Sequence, residues 1–184
     1  MGTSVFCMQL DEEIQLHLFE LRHAEAFFAL TERNREYLRP WMGWLDEQTS
    51  LETMRQHIRS QLQHFADNVG FQMGIWYRDQ LVGTISFNEI NWLTRKVVIG
   101  YWLDGAMQGK GLMTRACRAL ISCAFLEYKL NKVEIHCAVG NQRSRAIPER
   151  LGFAQEGIIR QNEWLYDHYV DQVFYGMLAS EWKE

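Results

Sequence analysis

The sequence predicts an α/β (α+β) fold: a single mixed, mostly antiparallel seven-stranded sheet with one central parallel pair, flanked by about four helices. Three observations predict it. Strand-like runs at 71–77, 80–89 and 96–103 follow one another with short connections, which is the pattern of an antiparallel meander. Over 96–139 the pattern switches to strand, helix, strand, and a strand reached through a crossover helix runs parallel to the one it left. Two further strand-like runs flank Tyr166-Asp167-His168 and read as a closing hairpin.

Residues 14–19 alternate well enough for a first strand. Residues 22–37 carry Ala24, Phe27, Phe28 and Leu30 on one helical face. Leu38-Arg39-Pro40-Trp41 ends that helix, since the residue before proline avoids the α region. Thr49, three residues before Glu52, has capping-box spacing and opens a helix to about residue 66, with Leu51, Met54, Ile58, Leu62 and Phe65 as its core face. Tyr77-Arg78-Asp79-Gln80 turns between the first two meander strands, and Asn91 to Arg95 connects the next pair. Residues 111–127 place Leu112, Ala116, Ala119, Leu120, Cys123 and Ala124 on one helical face. The β-branched run 133–139 is a strand, and a short helix follows between Asn141 and Leu151, stopped by Gly152 in the left-handed region. Pro148 disturbs that helix. Counted from Asn141 it removes an interior hydrogen bond; with Ser144 as N-cap it falls in the first turn. A short or distorted helix is expected. Residues 156–165 and 169–178 complete the sheet.

A chain of 184 residues fits one domain spanning 1–184. Nineteen basic against twenty-three acidic residues give a net charge of −4, which argues against nucleic acid as a direct partner. Cys7, Cys117, Cys123 and Cys137 form no CxxC pair or zinc spacing, and the six histidines form no metal-binding pattern, so no metal is expected. No basic region followed by an apolar run opens the chain, and no stretch approaches twenty apolar residues. The expectation is a cytoplasmic protein with no membrane segment.

The most informative segment joins the strand at 96–103 to the helix at 111–127. A glycine-containing loop runs straight into a helix start, where unpaired N–H groups converge and the helix dipole favours an anion. Gly109 and Gly111 allow close backbone approach, Lys110 adds charge, and Thr114 offers a hydroxyl. Such a loop can hold a dinucleotide, a nucleotide or coenzyme A, or only turn the chain. The Walker A pattern is absent, and Arg115 with an antiparallel start argues against a Rossmann fingerprint.

Gln108-Gly109-Lys110-Gly111-Leu112-Met113 resembles the coenzyme A motif of the GNAT acetyltransferase superfamily, Gln/Arg-x-x-Gly-x-Gly/Ala, with Met113 departing at the last position. Ile99 to Leu103, Asn141-x-x-Ser144, Leu151-Gly152-Phe153, Glu156-Gly157 and Arg160 are similar to it as well, most of all to the branch that acetylates N-terminal Ser or Ala of ribosomal proteins. The resemblance implies acetyl-CoA as co-substrate. It places the pantetheine arm along Tyr101 and Leu103 and beside Asn141, in a gap between the strands at 96–103 and 133–139. The diphosphate would rest on Gly109, Lys110, Gly111, Leu112, Met113 and Thr114, with Gln108 in the loop. Many members carry a Glu just before the Ile-Gly pair; here it is Val98. In the ribosomal branch a Glu and a Ser are the proposed catalytic pair, which maps onto Glu163 and Ser144. The resemblance is also compatible with a homodimer.

The chemistry sets the demand on those residues. An amine attacks a thioester only when neutral, and an α-amine of pKa near 8 is about one-tenth neutral at pH 7. A modest base therefore suffices, and Glu163 fits if burial near Trp164 raises its pKa. Its other reading is a carboxylate salt-bridged to Arg160. Ser144 can protonate the leaving thiolate or can merely cap its helix. Trp41 and Trp44 wall an amine site or pack the helices on the sheet. Arg115, Arg118, Arg143 and Arg145 meet the adenosine phosphate or form a solvated face. The sequence thus predicts an N-acetyltransferase acting on a primary amine, with a protein N-terminus first, a small amine such as a polyamine, antibiotic or amino acid second, and a non-catalytic acyl-CoA-binding module third.

Overall fold

The computed structural model describes residues 7–183, which form one eight-stranded sheet. Its strands are β1 (Cys7–Gln9), β2 (Ile14–Leu18), β3 (Phe71–Tyr77), β4 (Gln80–Asn91), β5 (Lys96–Leu103), β6 (Lys132–Ala138), β7 (Ala154–Leu165) and β8 (His168–Leu178). They lie in the order β1-β2-β3-β4-β5-β6-β8-β7, and every pairing is antiparallel except β5 with β6. The expected meander, parallel pair and closing hairpin are all present. The strand count is corrected from seven to eight. β1 has three residues, too few for alternation to register in the sequence, and is turned back onto β2 by Asp11, whose Oδ1 accepts from the N–H groups of Glu13 and Ile14 at 2.8 and 3.0 Å.

The helices are α1 (Ala24–Leu38), α2 (Leu51–Ala66), α3 (Leu112–Leu126) and α4 (Gln142–Arg150). α1 and α2 pack on β4 and β3, and α3 packs on β5 and β6. Alternation along β5 shows that these are opposite faces: Trp102 joins the cluster of Phe27, Leu30 and Ile58, whereas Tyr101 and Leu103 pack toward Ala116 and Leu120. The box that opens α2 is Ser50 with Thr53, one residue later than Thr49 with Glu52. Ser50 Oγ accepts from Thr53 N–H at 3.1 Å, and Thr53 Oγ1 accepts from Ser50 N–H at 3.1 Å. Glu52 instead faces solvent and meets Arg59 at 3.3 Å.

α4 settles the Pro148 question. Its N-cap is Asn141, whose Oδ1 accepts from Ser144 N–H at 3.2 Å, so Ser144 is the third helical residue and not the cap. Pro148 lies inside the helix and cannot donate to the Ser144 carbonyl four residues back. Gly152 stops the helix at φ +81°.

The parallel pair positions everything that follows. β5 and β6 are in register only from Lys96 opposite Lys132 to Val98 opposite Glu134, and then part, although both strands continue. The buried Glu134 carboxylate ties the foot of the gap, 3.2 Å from Lys96 Nζ and 3.0 Å from Lys132 Nζ.

Candidate active site

The glycine loop is folded for close approach. Gly109 and Gly111 have φ of +78° and +72°, a region where a side chain is strained, and a Cβ at either position would point into open space. Gly111 is the backbone N-cap of α3 and has no side chain to cover the helix start. Among the described residues, the N–H groups of Gly109, Gly111, Leu112, Met113 and Thr114 have no backbone partner. They border a cavity of about 660 Å³ lined by the loop on one side and by α4 on the other. Arg115, Arg143 and Arg150 line it too. The set has the donors, charge and open backbone that a diphosphate needs, so the residues present fit coenzyme A.

All three of those arginines are held in place. Arg143 Nη1 donates to Gln108 Oε1 at 2.8 Å, and Gln108 Nε2 donates to the Tyr37 hydroxyl, which links α4, the loop and α1. Arg150 Nη1 donates to Thr114 Oγ1 at 2.9 Å. Arg115 pairs with Asp11 at 2.6 Å. Arg145 turns away, bonding the Tyr175 hydroxyl and the Val139 carbonyl, each at 3.0 Å. Arg118 lies over the Trp182 ring. Lys110 is outside the cavity, 5.4 Å from the centre of the Tyr77 ring.

A narrow passage of about 120 Å³ continues from there, bordered by Leu103, Met113, Asn141 and Ser144. Tyr101 and Trp102 line both this passage and a third cavity of about 320 Å³, which fills the gap between β5 and β6 under the α1–α2 loop. The three spaces share walls and form one groove across the sheet. Trp41, Met42 and Trp44 wall its far end, and Met42 and Trp44 also pack against the cluster of Phe27, Leu30 and Ile58, so the wall reading and the packing reading both hold for Trp44. The Tyr166 hydroxyl donates to the Met42 carbonyl at 2.6 Å, fastening the β7–β8 hairpin to that wall.

Ser144 and Glu163 both face this third cavity. Ser144 Oγ lies 3.2 Å from Cys137 Sγ and 3.5 Å from the Tyr101 hydroxyl. Tyr101 in turn donates to the Ser144 carbonyl at 2.9 Å, the carbonyl that Pro148 leaves without its helical donor. Burial drives the Tyr101 phenol well above its usual pKa and raises the Cys137 thiol, so both remain neutral at pH 7. Glu163 reaches the cavity because β7 is irregular between Ile159 and Glu163, where Gln161 takes φ +52° and its N–H is held by Asp171 Oδ1 at 2.8 Å. Burial raises its pKa, partly opposed by a 2.7 Å hydrogen bond from Gln172 Nε2. The Arg160 pairing is not formed: among the described residues Glu163 has no ion pair. Val98 lines the same cavity, without a carboxylate.

Residues 13–154 match the family described as Acetyltransferase (GNAT) domain. The chain belongs to the GNAT acetyltransferase family. It is 30% identical over 173 residues to the ribosomal-protein-serine acetyltransferase of Escherichia coli, covering 94% of this chain and 97% of that one. It is 37% identical over 180 residues to YdaF of Bacillus subtilis, provisionally named a ribosomal N-acetyltransferase, at 97% and 98% coverage. Among solved structures it superposes with a TM-score of 0.91 and 27% identity on RimL, a ribosomal L7/L12 alpha-N-protein acetyltransferase in complex with coenzyme A, over 94% of this chain and 97% of that one. Like other GNAT enzymes, this chain is an acetyl-CoA-dependent N-acetyltransferase.

The groove brings together Tyr101, Leu103, Gln108, Gly109, Gly111, Leu112, Met113, Thr114, Asn141, Ser144 and Glu163, and leaves only Lys110 outside. Asn141 spends its carbonyl oxygen on the α4 cap. Sequence reasoning missed Tyr37, Arg150 and His136. Arg150 had a signal, since the last turn of a helix antiparallel to the loop can face it; Tyr37 and His136 depend on long-range packing and had none.

Proposed function

We propose that the acceptor is the α-amine of a protein N-terminus, a ribosomal protein's by similarity to RimL and the E. coli enzyme. The observation that carries this is the shared wall of Ser144 and Glu163 in the cavity adjoining the end of the coenzyme A groove. In this reading the amides of 109–114 and the arginines 115, 143 and 150 hold the diphosphate. The N–H groups of β5 beyond Val98 that point away from β4, and that β6 leaves free, hold the pantetheine arm and the oxyanion that forms on attack. When bound, acetyl-CoA supplies the activated acyl group.

Glu163 accepts a proton from the attacking nitrogen, and its burial-raised pKa brings it nearer the working range of a base at pH 7. Ser144 Oγ donates to the departing thiolate; its position in the first turn of α4, held by Asn141 and Tyr101, keeps that hydroxyl on the groove wall. An α-amine asks less of such a base than a lysine, which is under about one-thousandth neutral at pH 7. The cytoplasm, where ribosomal proteins are made, is the compartment this reading requires.

Mass spectrometry of N-terminal peptides after incubating a cell extract with the enzyme and labelled acetyl-CoA tests the reading. Label on Ser- or Ala-starting N-termini is expected. Label confined to polyamines or other small amines would contradict it, as would a purified Ser-starting peptide losing to spermidine in direct competition.

A further inference from the structure

Acetylation of an ammonium sheds two protons from one nitrogen. The balanced reaction is R–NH3+ plus acetyl-S-CoA giving R–NH–CO–CH3, HS-CoA and one free proton. The C–S bond breaks as the N–C bond forms, the thiolate takes up one proton, and the second must leave through the cavity. Glu163 can hold one proton at a time, and Val98 supplies no second acceptor on β5.

The opposite side of the gap does. His136 on β6 lines the same cavity as Glu163 and Val98. Its ring stacks on Phe174 at 3.7 Å between centroids, which fixes its plane. Nε2 is buried without a hydrogen-bond partner, with the Glu134 Oε2 charge 3.3 Å away; Nδ1, which has no partner among the described residues, is the nitrogen left for the cavity. A carboxylate behind one ring nitrogen favours the tautomer with its proton there and a lone pair on the other. Glu134 is in turn charge-balanced by Lys96 on β5 and by Lys132, which also reaches Glu156 on β7 at 2.7 Å. Phe174 and Gln172 on β8 and Ser144 on α4 add no charge, leaving Glu163 as the one other carboxylate on the cavity wall.

We propose that His136 is the second proton acceptor of this cavity: through cavity water, Nδ1 takes the proton that the acceptor's ammonium sheds before attack, and Glu163 takes the one shed as the N–C bond forms. His136 then returns its proton to solvent, and the proton on Glu163 replaces the one that Ser144 gives the thiolate. Desolvation lowers the imidazole pKa below its usual value, which keeps the resting ring unprotonated and makes it a weaker base than a free imidazole. The inference rests on the acceptor amine occupying the cavity that Glu163 lines.

The pH dependence of the loss on substitution is the test. Without His136 the enzyme works only on amine that is already neutral. For an α-amine of pKa near 8, H136Q should therefore lower kcat/KM most at pH 6.5, by at most about 30-fold, less at pH 7, by at most about tenfold, and hardly at all at pH 9. Glu163→Gln should keep its loss at pH 9. H136N repeats the measurement with a shorter side chain, and coenzyme A affinity by calorimetry shows that the groove is intact. A loss that is the same at every pH, or no loss at pH 6.5 in either variant, overturns the proposal. The comparison is run on whichever amine from a panel of peptides and polyamines the wild type acetylates, with the expected ratios set by that amine's own pKa. A wrong substrate class then sinks the N-terminal reading alone and leaves the test of His136 in force.

Discussion

At the scale of single residues, Glu163 shows function and stability pulling apart. Burial raises its pKa, so the folded protein binds its proton more tightly than the unfolded chain does. For a carboxylate of that kind, stability falls as pH rises from the unfolded to the folded pKa, and the penalty persists at pH 7. Glu163→Gln removes that penalty while its amide can still meet Gln172. We expect the variant to lose about 100-fold in kcat/KM at pH 7 while melting no lower than the wild type. Calorimetric melting at pH 7 and a thiol-release assay read the two sides; a large drop in melting temperature would recast Glu163 as a structural carboxylate. Glu163 was legible as a candidate because a Glu in the next-to-last strand stood at the position the resemblance marks. What aims it into the cavity was not: the irregularity between Ile159 and Glu163 and the left-handed Gln161 leave no trace in strand alternation.

At the scale of elements, α4 and β5 depend on one another through a single carbonyl. Pro148 cannot donate to Ser144 O, and Tyr101 takes the place of the missing donor. Tyr101→Phe should therefore cost about 1–3 kcal/mol, since it strands a partly buried acceptor. Pro148→Ala in the Tyr101→Phe background supplies a backbone N–H and should recover part of that cost. Denaturant unfolding of the four proteins in this double-mutant cycle measures the coupling, and strictly additive effects would contradict the link. Asn141→Ala should cost about 1 kcal/mol by removing the α4 cap. The proline and the helix were both visible in the sequence, and so was the conflict between them. Its resolution lay 43 residues away along the chain, at Tyr101, where local pattern cannot reach. The α2 box slipped by one residue for a simpler reason: Thr49 with Glu52 and Ser50 with Thr53 overlap in the sequence, and the helix starts one residue later than the first pair implies.

At the scale of the whole molecule, the sheet divides into two halves joined at the Lys96–Glu134–Lys132 knot and parted above it. The meander, the parallel pair, the closing hairpin and the loop-to-helix turn were legible because each has a strong period or a turn signature; that β8 and not β7 lies beside β6 was not. β1 was too short to show. The gap was expected from family resemblance alone, since nothing in the strand sequences says where pairing stops. A ligand spanning both halves should stabilise the fold: coenzyme A at 100 times its Kd adds about 2.7 kcal/mol, or roughly 5–10 °C in Tm for a chain of this size.

That groove begins at the glycine loop. A β-branched side chain at Gly111 must adopt φ near +72° and would stand in the open space proposed for the diphosphate. Titration calorimetry of coenzyme A against the wild type and Gly111→Val, with circular dichroism to confirm that both are folded, reads this directly. The account predicts one coenzyme A per wild-type chain and at least tenfold weaker binding by the variant. Equal affinity in the two proteins would mean that the cofactor rests elsewhere, and would contradict the account at its base.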